Sequence, residues 1–161
     1  MSDPNRKELT FHRILSAPRE LVWKAWTNPT LLSQWWGPYG VDSPVCEFDP
    51  RVEGLIYIEM VAGEALGPLK GQRWPMRGVV KEFVEPEKLV YVSTAILNDK
   101  PVLETVTTVT LKSIGDKTDM TIHILVTKIT AAGQGAVSGM EMGWNQQLEK
   151  LIAFLEHKQQ S

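Results

Sequence analysis

The sequence predicts an α+β fold in which a curved antiparallel sheet of seven strands wraps around one long C-terminal helix. Three observations predict it. Residues 45–128 form a succession of segments with the two-residue hydrophobic period of strands, joined by short turns as in an antiparallel meander. Two short helical segments separate the first strand from the others. Val137–His157 then reads as a single amphipathic helix, the one element long enough to cover the apolar face of such a sheet.

Leu9–Leu15 alternates Leu9, Phe11, Arg13 and Leu15 against Thr10, His12 and Ile14, as a strand does, and residues 1–7 before it are polar and expected to fray. Pro18 suits the first position of a helix because its missing donor is not needed there. Leu21, Val22, Ala25 and Trp26 supply that helix with an apolar face. Asn28-Pro29 stops it and starts a second short helix, Thr30–Trp36, ended by Gly37-Pro38. Strands are then expected at Val45–Phe48, Leu55–Val61, Met76–Val84, Leu89–Ile96, Val102–Lys112 and Asp119–Lys128. Ala62–Pro75, rich in glycine and proline, is expected to be a long exposed hairpin loop, and Ala131–Ala136 a flexible linker.

The final helix opens with Ser138 and Glu141 at capping-box spacing. Met140, Leu148, Leu151 and Leu155 fall within about 40° of Trp144 on a helical projection, and Ile152 and Phe154 widen that stripe. Gln147 is the polar residue inside the stripe. It is either an edge-of-core amide bonded to backbone or a polar group facing an internal cavity.

At 161 residues the chain is expected to be one domain, residues 1–161 with a core over about 9–157, able to bury a core without disulfides. Its net charge of −2 favours neither nucleic acid nor an anionic membrane. One cysteine, Cys46, excludes an intrachain disulfide and reads as a small buried hydrophobe. Without an apolar leader or a span of eighteen apolar residues, the chain reads as soluble and cytoplasmic, with no membrane insertion.

No phosphate-binding loop, dinucleotide fingerprint, nucleophile elbow or zinc-protease motif occurs. Three scattered histidines and one thiol do not make a metal site, and no cofactor is implied. Of the adjacent Trp35 and Trp36, helical geometry lets at most one face the interior. One is expected to be structural and the other to stand near a cavity mouth; the residues leave open which, and Trp36 is the one nominated as a ligand contact. Glu59, Arg77 and Glu104 are expected on the solvated convex face. The apolar parity of the third and last strands nominates Ile56, Ile58, Met60, Met120, Ile122 and Ile124 as a lining, with Met140, Trp144, Gln147 and Leu151 opposite on the helix. The same residues would equally suit a filled core.

The run Ala17-Pro18-Arg19-Glu20-Leu21-Val22-Trp23-Lys24-Ala25-Trp26-Thr27-Asn28-Pro29 resembles the opening of the family named for activators of the heat-shock protein 90 ATPase. Gln34-Trp35-Trp36-Gly37-Pro38, Glu47-Phe48-Asp49, Glu85-Pro86-Glu87-Lys88-Leu89-Val90 and the closing Gly143-Trp144-x3-Leu148-x2-Leu151 continue it, across about residues 9–155. The resemblance implies a START-like helix-grip fold, shared with the birch-pollen-allergen and polyketide-cyclase groups, whose usual property is binding apolar or aromatic small molecules. Two departures stand out. Relatives often carry two adjacent glycines where this chain has Val52-Glu53-Gly54, implying a less sharp bend. The eukaryotic co-chaperones also carry an N-terminal domain for which this chain has no room.

Three functions follow as expectations. The first is a binder or carrier of a small apolar molecule held between sheet and helix. The second is a cyclase- or hydrolase-like enzyme using a cavity carboxylate or Gln147. The third is an interaction module that regulates a chaperone. Met142, pointing away from the apolar stripe, would mark a contact in a homodimer.

Overall fold

In the computed structural model, residues 7–160 are described, so the expected frayed N-terminus lies outside them except for Lys7. The elements are β1 (Glu8–Leu15), α1 (Arg19–Thr27), α2 (Pro29–Leu32), β2 (Val41–Phe48), β3 (Leu55–Ala62), β4 (Arg73–Val84), β5 (Lys88–Leu97), β6 (Lys100–Ile114), β7 (Lys117–Ile129), α3 (Gln134–Ser138) and α4 (Met140–Gln160). The seven strands form one curled antiparallel sheet in the order β1-β7-β6-β5-β4-β3-β2, with α4 gripped on its inner face. This is the helix-grip arrangement. Strands β2 to β7 meander, and β1 closes the far edge by pairing with β7, from Glu8 opposite Leu125 to Leu15 opposite Thr118.

The core follows the strand parity. Met120, Ile122, Ile124 and Val126 of β7 and Ile56 and Ile58 of β3 are buried, as are Leu148, Leu151 and Leu155 of α4. Burying each such side chain contributes about 1.5–3 kcal/mol. The α4 stripe therefore has enough driving force to hold the helix without strong intrinsic propensity.

Several boundaries differ from the sequence expectation. The second helix ends at Leu32 rather than Trp36. Asn28 caps it by accepting from the amides of Thr30 at 2.9 Å and Leu31 at 3.2 Å. Beyond Leu32 the chain is drawn off the helix, with the Trp35 indole donating to the Ala25 carbonyl at 3.0 Å. Because these residues lie in turns, the one-inward rule for neighbouring helical residues does not apply. Trp35 and Trp36 are both buried, at 0% and 9% exposure. Strand β2 begins at Val41, four residues early, and Pro44 is accommodated because β2 is an edge strand with an irregularity between Asp42 and Val45. The Ala62–Pro75 connection is shorter than expected, with β4 starting at Arg73 and 3₁₀ turns over Glu64–Leu69.

At the C-terminal end, the anticipated cap does not form. The Ser138 hydroxyl bonds back to the Gln134 carbonyl at 2.9 Å, so helical turns begin at Gln134 and break only at Gly139. The expected linker is likewise ordered as a 3₁₀ turn and the start of α3. It is docked on β6, where a Cβ at Gly133 would stand 2.1 Å from the Val102 carbonyl oxygen. Only glycine permits that approach.

The bend into β3 stays tight despite the missing glycine. Glu53 takes a left-handed conformation with φ of 66°, and a Cβ on Gly54 would lie 2.0 Å from the Asp49 carbonyl oxygen. A left-handed non-glycine residue is strained. Glu53→Gly is therefore expected to raise stability by about 0.5–1 kcal/mol, and Gly54→Ala to lower it by more than about 2 kcal/mol. Thermal or denaturant unfolding of the two variants would show opposite signs.

Candidate functional site

Aromatic packing builds one side of the site. Helix α1 buries Trp26, and the turn after α2 buries Trp35 and Trp36. Trp144 of α4 meets this group and β1 together. It stacks on Phe11 at 6.0 Å and on Trp26 at 6.2 Å, and meets Trp36 edge-on at 5.6 Å. Trp26 and Trp35 meet edge-to-face at 4.8 Å.

Beside this cluster, between α4 and the sheet, lies a cavity of about 460 Å3. That is within the usual range for small-molecule sites, about 300–1,000 Å3. Its walls are Trp36, Trp144 and three methionines, Met60, Met76 and Met140, with Leu103 and Ile124 of β6 and β7. Trp74, Pro75, Ile96 and Leu97, all half-buried, and the exposed Ala132 and Gly135 mark the more open end. Tyr91, Ser93, Thr105 and Thr107 add hydroxyls from β5 and β6. Among the described residues no charged side chain borders it.

Of the residues nominated from sequence, Trp36, Met60, Met140 and Trp144 are brought together on this cavity, with Ile124. Ile56 and Ile58 lie apart from it, around a void of about 10 Å3 shared with Trp26, Leu32 and Phe48. Met120, Ile122 and Leu151 are fully buried in packed core and do not border the cavity. Gln147 is buried too, but its Oε1 accepts from the Gly37 amide at 2.7 Å while its Nε2 has no partner. Its amide is engaged by backbone and holds a loop rather than facing the cavity. Sequence reasoning passed over Tyr91, Ser93, Thr105 and Thr107. The available signal was their shared inward parity across the β5–β6 register. Threonine and serine on a strand are easily taken for a solvated face.

The loop Gly37–Val41 is held by α4 along its length. Besides Gln147, Gln146 accepts from the Tyr39 amide at 3.1 Å, and the Tyr39 hydroxyl donates to Glu149. Lys150 Nζ donates to the carbonyls of Gly37 at 3.0 Å and Val41 at 3.3 Å. Burial lowers the Lys150 pKa, with Asp42 opposing this in part.

Titratable groups lie elsewhere. His12 pairs with Asp119, and His123 with Glu8 at 3.3 Å, on the exposed side of β1 and β7. Among the described residues no cluster could hold a metal ion, and no helix is long and apolar enough to cross a membrane. The outer sheet face carries a larger and more open hollow of about 980 Å3, bordered by Glu47, Arg77, Lys81 and Glu104. It carries charged side chains and a single aromatic ring, Tyr57, in place of the indoles and thioethers of the inner cavity. Cys46 is half-buried against the core, and burial, with Glu47 nearby, pushes its pKa up to about 11.

Two outcomes follow from this geometry. Gln147→Met leaves the Gly37 amide without its acceptor and should lower stability by about 1–2 kcal/mol. Because Gln147 does not border the cavity, apolar-dye affinity should be unchanged, as a titration of the folded variant would show. Since only the thiolate reacts, native Cys46 should alkylate about a hundredfold more slowly at pH 8 than an ordinary thiol, and at the ordinary rate once unfolded.

Comparison with known proteins agrees with this geometry. Over residues 16–156 the chain matches the family described as activator of Hsp90 ATPase homolog 1-like protein. A crystal structure from Chromobacterium violaceum is 30% identical, with a TM-score of 0.78 over 92% of this chain and 96% of that one. The fold also matches a protein from Nitrosomonas europaea at 22% identity and TM-score 0.75, covering 96% and 97% of the two chains. One from Silicibacter pomeroyi, bearing the family's name, matches at 22% identity and TM-score 0.75 over 94% and 99%. No functionally curated protein matches. With the helix grip, the aromatic cluster and the matched span in place, the chain belongs to the activator of Hsp90 ATPase homolog 1-like family.

Proposed function

We propose that this protein binds or carries a small apolar or aromatic molecule in the cavity between α4 and the sheet. The observation that carries the reading is the composition of that cavity, about 460 Å3 walled by three indoles and three thioethers, with no charged side chain among the described residues. Flat aromatic walls favour planar ligands, and methionine adapts to irregular shapes. The START-like fold, which commonly binds hydrophobic ligands, agrees with this.

The same composition weighs against the cyclase- or hydrolase-like alternative. Such chemistry needs a group that takes and returns a proton. Among the described residues no carboxylate, imidazole, amine or thiol borders the cavity, and Gln147 is turned to the Gly37 amide.

The test is a titration of the native chain with an uncharged solvatochromic dye such as Nile red, with mass spectrometry of organic extracts from freshly purified protein. One blue-shifted dye per chain is expected, displaced by extracted ligand. Ala95→Phe, which puts a ring into the cavity wall, should weaken dye binding by at least about tenfold while the variant still unfolds cooperatively. Absence of dye binding, or binding that Ala95→Phe leaves unchanged, would overturn the reading.

A further inference from the structure

The inner faces of β5 and β6 carry a contiguous group of hydroxyls. Tyr91 stands opposite Thr107, and Ser93 opposite Thr105, in the strand register, and all four border the cavity. The side chains elsewhere on its walls are aliphatic, thioether or indole. The hydroxyls of Ser93 and Thr105 bond to each other at 2.8 Å. That uses one of their two protons and leaves the other free to be donated.

Tyr91 is less easily accounted for. It is 3% exposed, and its hydroxyl is buried with no completed hydrogen bond. A buried hydroxyl without a partner costs stability, and phenylalanine would fill nearly the same space without that cost. Burial also pushes the Tyr91 pKa upward, and the Thr107 hydroxyl, placed to act as a donor toward the phenol oxygen without completing a hydrogen bond, opposes this only in part. The phenol therefore keeps its proton at any ordinary pH and is available as a donor. What it lacks is an acceptor.

Charge is excluded on separate grounds. An ionised ligand entering this cavity would shed its hydration and find no opposite charge on the walls. A pure hydrocarbon would cover the hydroxyls and leave them unpaired. The chemistry that satisfies both surfaces is an apolar body with one neutral oxygen acceptor.

We propose that the cavity selects uncharged molecules bearing a carbonyl-type oxygen at one end of an aromatic or aliphatic body. The oxygen accepts from Tyr91, with the Ser93–Thr105 pair beside it, and the body lies against Trp36 and Trp144. Those two rings meet at 82°, giving a corner into which a flat ring fits. This rests on the reading of the cavity as a binding site, and adds to it the class of ligand.

Three probes of matched shape separate the possibilities: 2-acetylnaphthalene, 2-ethylnaphthalene and 2-naphthoate, each titrated calorimetrically into the full chain. The ketone should bind, with its carbonyl stretch shifted to lower wavenumber than in hydrocarbon solvent. Tyr91→Phe should weaken the ketone by about five- to tenfold, leave the hydrocarbon within about twofold and abolish the infrared shift. The variant's melting temperature should be unchanged or higher, which a merely structural hydroxyl would not give. Naphthoate should bind at least about tenfold more weakly than the ketone. If Tyr91→Phe fails to fold, the Ser93→Ala/Thr105→Val double variant reads the same row of hydroxyls, with the same preferential loss of the ketone expected. Equal loss of ketone and hydrocarbon, an unshifted carbonyl in the wild type, or tighter binding of naphthoate would overturn the proposal. Failure of both neutral probes to bind would instead overturn the cavity reading itself.

Discussion

The contact on which the rest of the structure depends is the packing of Trp144 against three other parts of the chain at once. Its indole stacks on Phe11 from β1 and Trp26 from α1, and abuts Trp36 from the turn after α2. Aromatic pairs of this kind contribute about 0.5–1.5 kcal/mol each beyond their buried area. More consequential is what they connect. The sheet edge, the helical V and the long helix all meet at this one indole. Trp144 also forms part of the cavity wall. The residue that closes the fold is thus the one that shapes the space inside it.

Packing along α4 is graded as a consequence. Its C-terminal half places Leu148, Leu151 and Leu155 in a filled core with Leu15 and Met120. Its N-terminal half has Met140 and Trp144 over open volume, preceded by Gly135 and Gly139 that add no side chain to the wall. The same helix also fixes the Gly37–Val41 loop, through the buried Gln147 and through Gln146, Glu149 and Lys150. Gly37 and Gly40 in that loop hold positive φ, which glycine adopts at little cost. With the loop fixed, Trp36 immediately before it is held against Trp144. Rigid aromatic walls and an adaptable thioether end can therefore coexist in one cavity.

Much of the fold was legible because it depends on period and punctuation. Two-residue alternation in β7 and the stripe on α4 both mark burial directly, and Asn28-Pro29 marks the V. Boundaries were lost where a tertiary contact overrode a local signal. The Trp35 indole reaching Ala25 ended α2 early, and close docking of Gly133 on Val102 ordered a segment whose glycines suggested flexibility. The site was only partly legible. Strand parity and the helical stripe identified which residues point inward, so Met60, Met140 and Trp144 could be nominated, yet neither pattern says where opposing surfaces separate. Ile58 and Ile122 point inward as well and are simply packed. That difference arises from how strongly the sheet curls away from α4, which no single residue encodes.

The hydroxyls on β5 and β6 bear on why such a space persists. Deleting core volume normally destabilises a protein in proportion to the void left behind, at about 24 cal/mol per Å3 in fully apolar cores. A cavity of this size lined only by hydrocarbon would be hard to sustain in a chain whose net stability is of order 5–15 kcal/mol. An entrance to solvent and a polar strip change that balance, because a polar, roomy site can be hydrated whereas an apolar one of similar size stays dry. The same strip lowers affinity for any ligand that cannot match it, since its hydroxyls would be desolvated without return. Under the proposed reading, tolerance of the empty state and discrimination among occupants trace to the same few side chains.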